Sequence, residues 1–100
     1  MPGRPYLYHY VKSFSRSLNL SREISRKELH EAGFEISSKP TAWEQFGVNA
    51  DTLALATSVP LSASKTYVHV IATSNTESSA KHWAAELMKS INESKLVLID

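Results

Sequence analysis

The stretch "TYVHVIATSNTESSAKHWAAELMKSINES", residues 66–94, decides the fold because two different periodicities follow each other within it. Residues 66–73 are mainly β-branched and aromatic, which is typical of a strand. Ser74 and Glu77 have the spacing of a capping box, so we expect a helix to begin just after Ser74. Apolar residues then recur at three- and four-residue intervals, as the stripe Ala80, Trp83, Ala84, Leu87, Met88 and Ile91. The stretch therefore predicts a strand followed by a helix with one buried side.

The neighbouring segments extend this unit in both directions. The continuous apolar run at 96–99 predicts a buried strand, which would complete a strand–helix–strand crossover. Upstream, "DTLALATSVPL" at 51–61 precedes the polar "SASK", and with 66–73 it predicts a hairpin with a loop of about four to six residues. Pro60 is expected to end the first hairpin strand, because proline cannot donate a hydrogen bond to the ladder.

The N-terminal half begins with a predicted strand at 5–14 and continues with a predicted helix. Ser25 and Glu28 form a second capping box, and Gly33 suits the left-handed position that follows a helix end. A start at Ser21 is the alternative, and it would bring Ile24 onto the apolar side of the helix.

The segment that follows this helix is irregular in sequence. Residues 34–38 fit a short strand or a loop. The spacing of Thr41 and Glu44, with Gly47 after them, predicts one further helical turn, in which Trp43 and Phe46 would pack inward.

The resulting order of elements is β-α-β-β-α-β. It predicts an α+β fold, a ferredoxin-like plait with both helices on one face of an antiparallel sheet, built by residues 1–100 as a single domain. With the strand order 4-1-3-2, residues 5–14 and 66–73 become central neighbours. A winged helix is the alternative fold, with 25–33 and 39–47 as the helix-turn-helix and 51–73 as the wing.

The candidate binding surface is a tyrosine-rich sheet face. Val68, Val70 and Ala72 suit the helix side of their strand, so Tyr67, His69 and Ile71 should point away from the helices. On 5–14 we expect Leu7 and Val11 to face the helices. The predicted binding residues on the open side are then Tyr6, Tyr8, Tyr10, Tyr67, His69 and Ile71. Such an exposed apolar patch is typical of an interaction site.

Three coverings of this face are conceivable: residues 34–50 of the same chain, a second copy, or a ligand or partner. We expect a binding or assembly module that forms a homodimer or joins another protein. The alternative is a dimeric plait enzyme or small-molecule-binding protein that uses His9 or His69.

Neither a cofactor nor a metal site is predicted. The chain lacks cysteine and has three glycines, so thiolate ligands and a glycine-rich phosphate loop are excluded. His9 and His69 fall on opposite faces under the assignment above. If one strand were turned over, they would share a face and could form a pH-sensitive or catalytic pair, or two metal ligands.

Net charge and hydropathy limit the kinds of partner that we expect. The net charge of +1 argues against nucleic acid, whose phosphates attract strongly basic surfaces. No apolar run approaches the ~18–20 residues of a membrane-spanning helix, and the N-terminus lacks the apolar core of a signal peptide. We expect a cytoplasmic protein without a membrane partner; a mature secreted chain is the alternative.

Overall fold

A computed structural model describes residues 5–36 and 44–96 of the chain. The elements in chain order are β1 (Tyr6–Phe14), α1 (Leu18–Glu31), β2 (Glu35–Ile36), β3 (Glu44–Val48), β4 (Thr52–Ser62), β5 (Lys65–Ser74) and α2 (Glu77–Glu93). All strand pairs are antiparallel, and the sheet order is β1-β5-β4-β3-β2. The predicted α+β class is confirmed.

Both helices pack on the same face of this sheet. The predicted apolar stripe of α2 is confirmed, because Ala80, Ala84, Leu87 and Ile91 are buried. Together with α1 and alternate residues of the central strands, α2 forms one core, which includes Ile24, Leu29, Ala54, Ala56, Val68, Val70, Leu87 and Ile91. The alanines of β4 leave room for the helices to approach the sheet closely.

The helix ends differ in part from the prediction. The Ser17 side chain accepts a hydrogen bond from the Leu20 amide at 3.2 Å, so α1 begins earlier than predicted. The capping box at Ser25 is wrong, because Ser25 lies inside α1 and its hydroxyl donates to a backbone carbonyl one turn earlier. Thr76, not Ser74, caps α2. The left-handed position of Gly33 is confirmed by its φ of 92°.

The predicted neighbours are found, but the sheet is not a simple plait. β1 pairs with β5 and β5 pairs with β4, as expected for 5–14, 66–73 and 51–61. Two further strands, β3 and β2, extend the sheet beyond β4, and β1 forms the other edge of the described sheet. Of the predicted strand at 96–99, Leu96 is not in a strand, and residues 97–99 lie outside the described residues.

Residues 44–48 form strand β3 and not the predicted helical turn, which also removes the second helix of the winged-helix alternative. The capping-box spacing misled here because β3 is held by pairing with β4, a contact distant in sequence. A Cβ on Gly47 would lie 2.8 Å from the Glu35 carbonyl oxygen, so glycine allows β2 to approach. Trp43 and its predicted packing lie outside the described residues.

The β4–β5 hairpin is tighter than predicted. Two residues separate the strands, where a loop of about four to six was expected. Pro60 lies within β4 and pairs with Thr66, next to a register irregularity, so it does not end the strand. The described pairing of β3 with β4 stops at Thr57. Pro60 lies beyond this point, so its lack of an N–H group removes no hydrogen bond between β3 and β4.

Candidate functional site

Strand register decides which side chains share a face of the sheet. Residues directly opposite each other in an antiparallel pair point to the same side. Val70 and Ala72 of β5 are buried against the helices, and they pair with Tyr10 and Tyr8. The prediction that the β1 tyrosines lie on the open side is therefore wrong. Tyr6 pairs with the buried Ser74, so it also points to the helix side of the sheet.

Contacts of β1 support this correction. The Tyr8 hydroxyl donates a 2.6 Å hydrogen bond to the Glu77 carboxylate in the first turn of α2. This hydrogen bond, followed by desolvation and the charge of Glu77, raises the pKa of Tyr8 above its ordinary value. Tyr6 and Tyr10 are 45% and 41% exposed along the edge of the sheet. The tyrosine side of β1 is thus the side that α2 partly covers.

The orientation predicted for β5 is confirmed. Thr66, Val68, Val70 and Ala72 are buried on the helix side, whereas Tyr67, His69 and Ile71 are half-buried on the other side. The six predicted binding residues are therefore divided between the two faces of the sheet, three on each.

We use the name open face for the side of β1, β5, β4 and β3 that is turned away from α1 and α2. Its cross-strand rows are Leu7–Thr73–Leu53–Val48, His9–Ile71–Leu55–Phe46, Val11–His69–Thr57–Glu44 and Ser13–Tyr67–Val59. Neither helix of the described chain lies over these rows.

The first row of the open face is the most exposed apolar part of it. Leu7 is 58% exposed, Leu53 44% and Val48 46%, and Val11 two rows away is 45% exposed. Sequence reasoning missed these aliphatic residues. The alternation of leucine and alanine in β4 could have revealed Leu53, because the small alanines mark the side on which helices approach.

Two histidines meet on the open face. His9 is diagonal to His69, since His9 pairs with Ile71 and His69 pairs with Val11. His69 Nε2 lies 3.0 Å from His9 Nδ1, so one nitrogen carries the hydrogen and the other accepts it. The ring centroids are 5.1 Å apart in an edge-to-face arrangement. The sequence placed these residues on opposite faces, and only the reversed orientation of β1 brings them together.

The electrostatics of the pair favour a neutral His69 ring. Burial, and then the neighbouring His9, lower the pKa of His69 below the ordinary value of 6.5. The ring of Tyr67 stands edge-on to His69 with centroids 6.5 Å apart. Two neutral imidazoles in contact can share a proton or offer two nitrogen lone pairs to an electrophile.

Elsewhere the molecule has a cleft of about 840 Å³ along α1 and the segment after it, lined by residues that include Glu23, Arg26, His30 and Phe34. His9 and His69 do not line this cleft, so it gives no support to an enzyme built on those histidines. Within the described ranges, no group of three or more His, Asp and Glu side chains could hold a metal ion together. Neither α1 nor α2 is long and apolar enough to cross a membrane.

Comparison of the sequence with models of known protein families found no match, and comparison with curated proteins likewise found none. The geometry of the open face is therefore the basis for the functional argument.

Proposed function

We propose that this protein is a small assembly module that associates with a second copy of itself through the open face. The observation that carries the proposal is the exposed row of Leu7, Leu53 and Val48, which comes from three different strands. Thr73 lies between Leu7 and Leu53 in this row, and Leu53 and Val48 are direct neighbours. Exposed apolar side chains grouped in this way are typical of contact sites. Burying them between two copies removes apolar area from water, which is the main favourable contribution to association.

The charge of the open face supports a second copy as the partner. Lys12, the basic residue of β1, points to the opposite side, where it binds Asn92 of α2. Among the residues of the four rows, Glu44 is acidic and none is lysine or arginine. At the margins of the same side lie Glu35, opposite Val48, and Lys65, two residues before Tyr67, which have opposite charges. A surface with so little charge can stack on its own copy about a two-fold axis without strong like-charge repulsion.

The dimensions of the open face predict a reversible contact. A strand spacing of ~4.8 Å and a rise of ~3.4 Å per residue make the four strands and four rows roughly 20 Å by 20 Å. This corresponds to a small interface, below the standard size of about 800 Å² for each partner. We therefore expect a reversible, concentration-dependent association and not an obligate dimer.

A matched pair of substitutions on β1 tests the proposal. Leu7→Asp places a negative charge on the open face. Tyr6→Asp places the same charge one residue earlier, on the helix side of β1. The two wild-type side chains are similarly exposed. Light scattering after size-exclusion chromatography should give wild-type masses that rise with concentration from 11.1 kDa towards twice that value. Leu7→Asp should abolish this rise, and Tyr6→Asp should keep it.

Circular dichroism spectra that match the wild type establish that both variants fold. A wild-type chain that stays at 11.1 kDa up to millimolar concentration would contradict self-association. Equal behaviour of the two variants would contradict the assignment of the contact to the open face.

A further inference from the structure

The second feature of the open face is the contact between His9 and His69, whose ring nitrogens can bind a metal ion. Their facing nitrogens are 3.0 Å apart. Two metal–nitrogen bonds of about 2.0–2.1 Å that meet at 90–110° place their nitrogens roughly 2.8–3.4 Å apart. The two imidazoles therefore already have the spacing of two neighbouring ligands of one metal ion.

The pairing of two strands brings the two rings together, and their own hydrogen bond sets the spacing of the nitrogens. His9 and His69 belong to β1 and β5, which pair over nine successive residue pairs from Tyr6 to Phe14. The histidines occupy diagonal positions, and diagonal side chains of neighbouring strands are within reach of each other. Because the strands are already ordered, binding of a metal would require little further ordering of the chain.

The surroundings of the pair suit a cation. His9 is exposed and His69 is half-buried, so an ion can approach from the solvent. The cross-strand neighbours on the open face are the uncharged Val11, Ile71 and Thr57. None of these brings a positive charge that would repel the ion.

We infer that His9 Nδ1 and His69 Nε2 form a two-nitrogen chelate for a divalent late transition metal ion such as Zn²⁺, Ni²⁺ or Cu²⁺. Imidazole suits these ions, whereas Mg²⁺ and Ca²⁺ prefer oxygen ligands. In the loaded state each ring carries its hydrogen on the other nitrogen, His9 Nε2 and His69 Nδ1, because a lone pair must face the metal. Water completes the coordination. The chelate lies within one chain, so it does not require the self-association proposed above, but both histidines lie on the open face and self-association would compete with the metal.

Nuclear magnetic resonance of the histidine rings tests this inference, with zinc chloride as the probe and the full chain at pH 7.5. Equimolar Zn²⁺ should shift the ring signals of His9 and His69 and leave those of His30 and His82 in place. The ¹⁵N shifts should identify Nδ1 of His9 and Nε2 of His69 as the coordinated atoms. Magnesium chloride should change none of these signals.

Substitutions give the second measurement, which is the affinity for Zn²⁺ from competition with a zinc indicator dye. His9→Gln and His69→Gln should each weaken binding by at least about tenfold, since even the loss of a group that supports a metal ligand weakens binding by 10–100-fold. The matched control, His30→Gln combined with His82→Gln, removes two histidines from the helices and should keep the wild-type affinity. His9 is exposed and His69 is half-buried, so circular dichroism is used to verify that both single variants fold.

Two results would overturn the inference. One is an affinity that neither single substitution changes. The other is a set of ring shifts that includes all four histidines equally, which is the pattern of non-specific binding at scattered surface residues. His9 and His69 lie on the open face, so self-association would compete with Zn²⁺ for them. Val48→Asp, whose charge lies on β3 and away from His9, should keep the chain monomeric. The same Zn²⁺ measurements on this variant separate their outcome from the fate of the proposed dimer.

Discussion

The phenol of Tyr8 donates a 2.6 Å hydrogen bond to the carboxylate of Glu77, and this contact joins the edge strand β1 to the first turn of α2. It fixes the side of the sheet to which the β1 tyrosines point. The opposite side of β1, with Leu7, His9 and Val11, is thereby assigned to the open face.

The first prediction concerns the acidity of this phenol. The hydrogen bond to Glu77 is the main cause that raises the pKa of Tyr8 above 10.0. Glu77→Gln removes the charge of the acceptor, so we expect the pKa of Tyr8 to move back towards 10.0. A titration of the tyrosine ring signals by nuclear magnetic resonance measures it. Glu86→Gln, elsewhere on α2, is the control and should leave Tyr8 unchanged; an equal effect of both variants would argue against the contact.

The second prediction concerns the histidine pair, with a chelator present to keep metal away. Burial is the larger cause that lowers the pKa of His69, and His9 is the smaller one. We therefore expect His69 to titrate below 6.5, and His9→Gln to raise its pKa only part of the way. Ring signals followed from pH 8 to pH 4 measure both. A His69 that titrates at or above 6.5 would contradict the described burial of its ring, and an unchanged pKa in His9→Gln would contradict the contribution of the contact.

The lowered pKa of His69 also determines how the stability of the fold changes with pH. Since the folded state holds its proton on His69 less tightly than the unfolded state, the contribution of His69 is complete above pH 6.5. It decreases as the pH falls from 6.5 through the lower pKa of the folded state.

The third prediction concerns Arg16, which closes the C-terminal end of α2. Its Nη1 donates to the Ile91 carbonyl at 2.8 Å, and its Nη2 donates to the carbonyls of Asn92 and Ser94 at 3.4 Å. The guanidinium carbon lies 4.5 Å from the centroid of the Phe14 ring. A cation at this end of a helix is favourable, and charged hydrogen bonds to otherwise unpaired carbonyls add to it.

We expect Arg16→Gln to lower the free energy of unfolding by about 1–2 kcal/mol, as measured by urea denaturation. Lys12→Gln is the matched control, because Lys12 also contacts α2 but through one exposed hydrogen bond to Asn92. Its effect should be clearly smaller. If the two variants lose the same stability, the closure of the helix end by Arg16 is not the cause.

The fourth prediction concerns the carboxylate of Asp51, which joins the start of β4 to α2. Asp51 accepts a 2.6 Å hydrogen bond from the Ser79 hydroxyl and a 2.9 Å hydrogen bond from Thr52. These bonds, the Ser79 bond first, lower the pKa of Asp51 below 3.8. The stabilisation is therefore present above pH 3.8 and is lost as the pH falls through the lower pKa of the folded state.

Ser79→Ala should accordingly be less stable than the wild type at pH 6, and the difference should shrink as the pH falls towards 2. Thermal unfolding followed by circular dichroism over this range measures the difference, with Ser78→Ala as the control on the same helical turn. Helix propensity alone would make Ser79→Ala more stable. A loss of stability that stays constant with pH would show that the charge of Asp51 is not its cause.

The elements that the sequence predicted well are those whose sides differ strongly in burial. The stripe from Ala80 to Ile91 and the alternation in β5 both have one side that is fully buried, so hydrophobic pattern alone identifies that side. Gly33 was predictable because few other residues adopt its backbone conformation readily.

The orientation of β1 was not predictable in this way. As an edge strand it is exposed on both sides over most of its length, and burial therefore does not distinguish Tyr8 from His9. Tyrosine and leucine suit either side of such a strand. The actual choice depends on a partner at Glu77, far along the chain. Strand β3 was missed for a related reason, because its pairing with β4 overrides a local spacing that is typical of a helix start.

The most direct test of the central claim is a dilution series of the methyl-labelled chain, recorded by nuclear magnetic resonance from about 1 mM to 10 μM, a range that covers weak, reversible association. We predict concentration-dependent shifts for the methyl groups of Leu7, Leu53 and Val48 on the open face, and none for Ile24 and Leu87 in the core. Shifts confined to the helices, or spectra that do not depend on concentration, would contradict self-association through the open face.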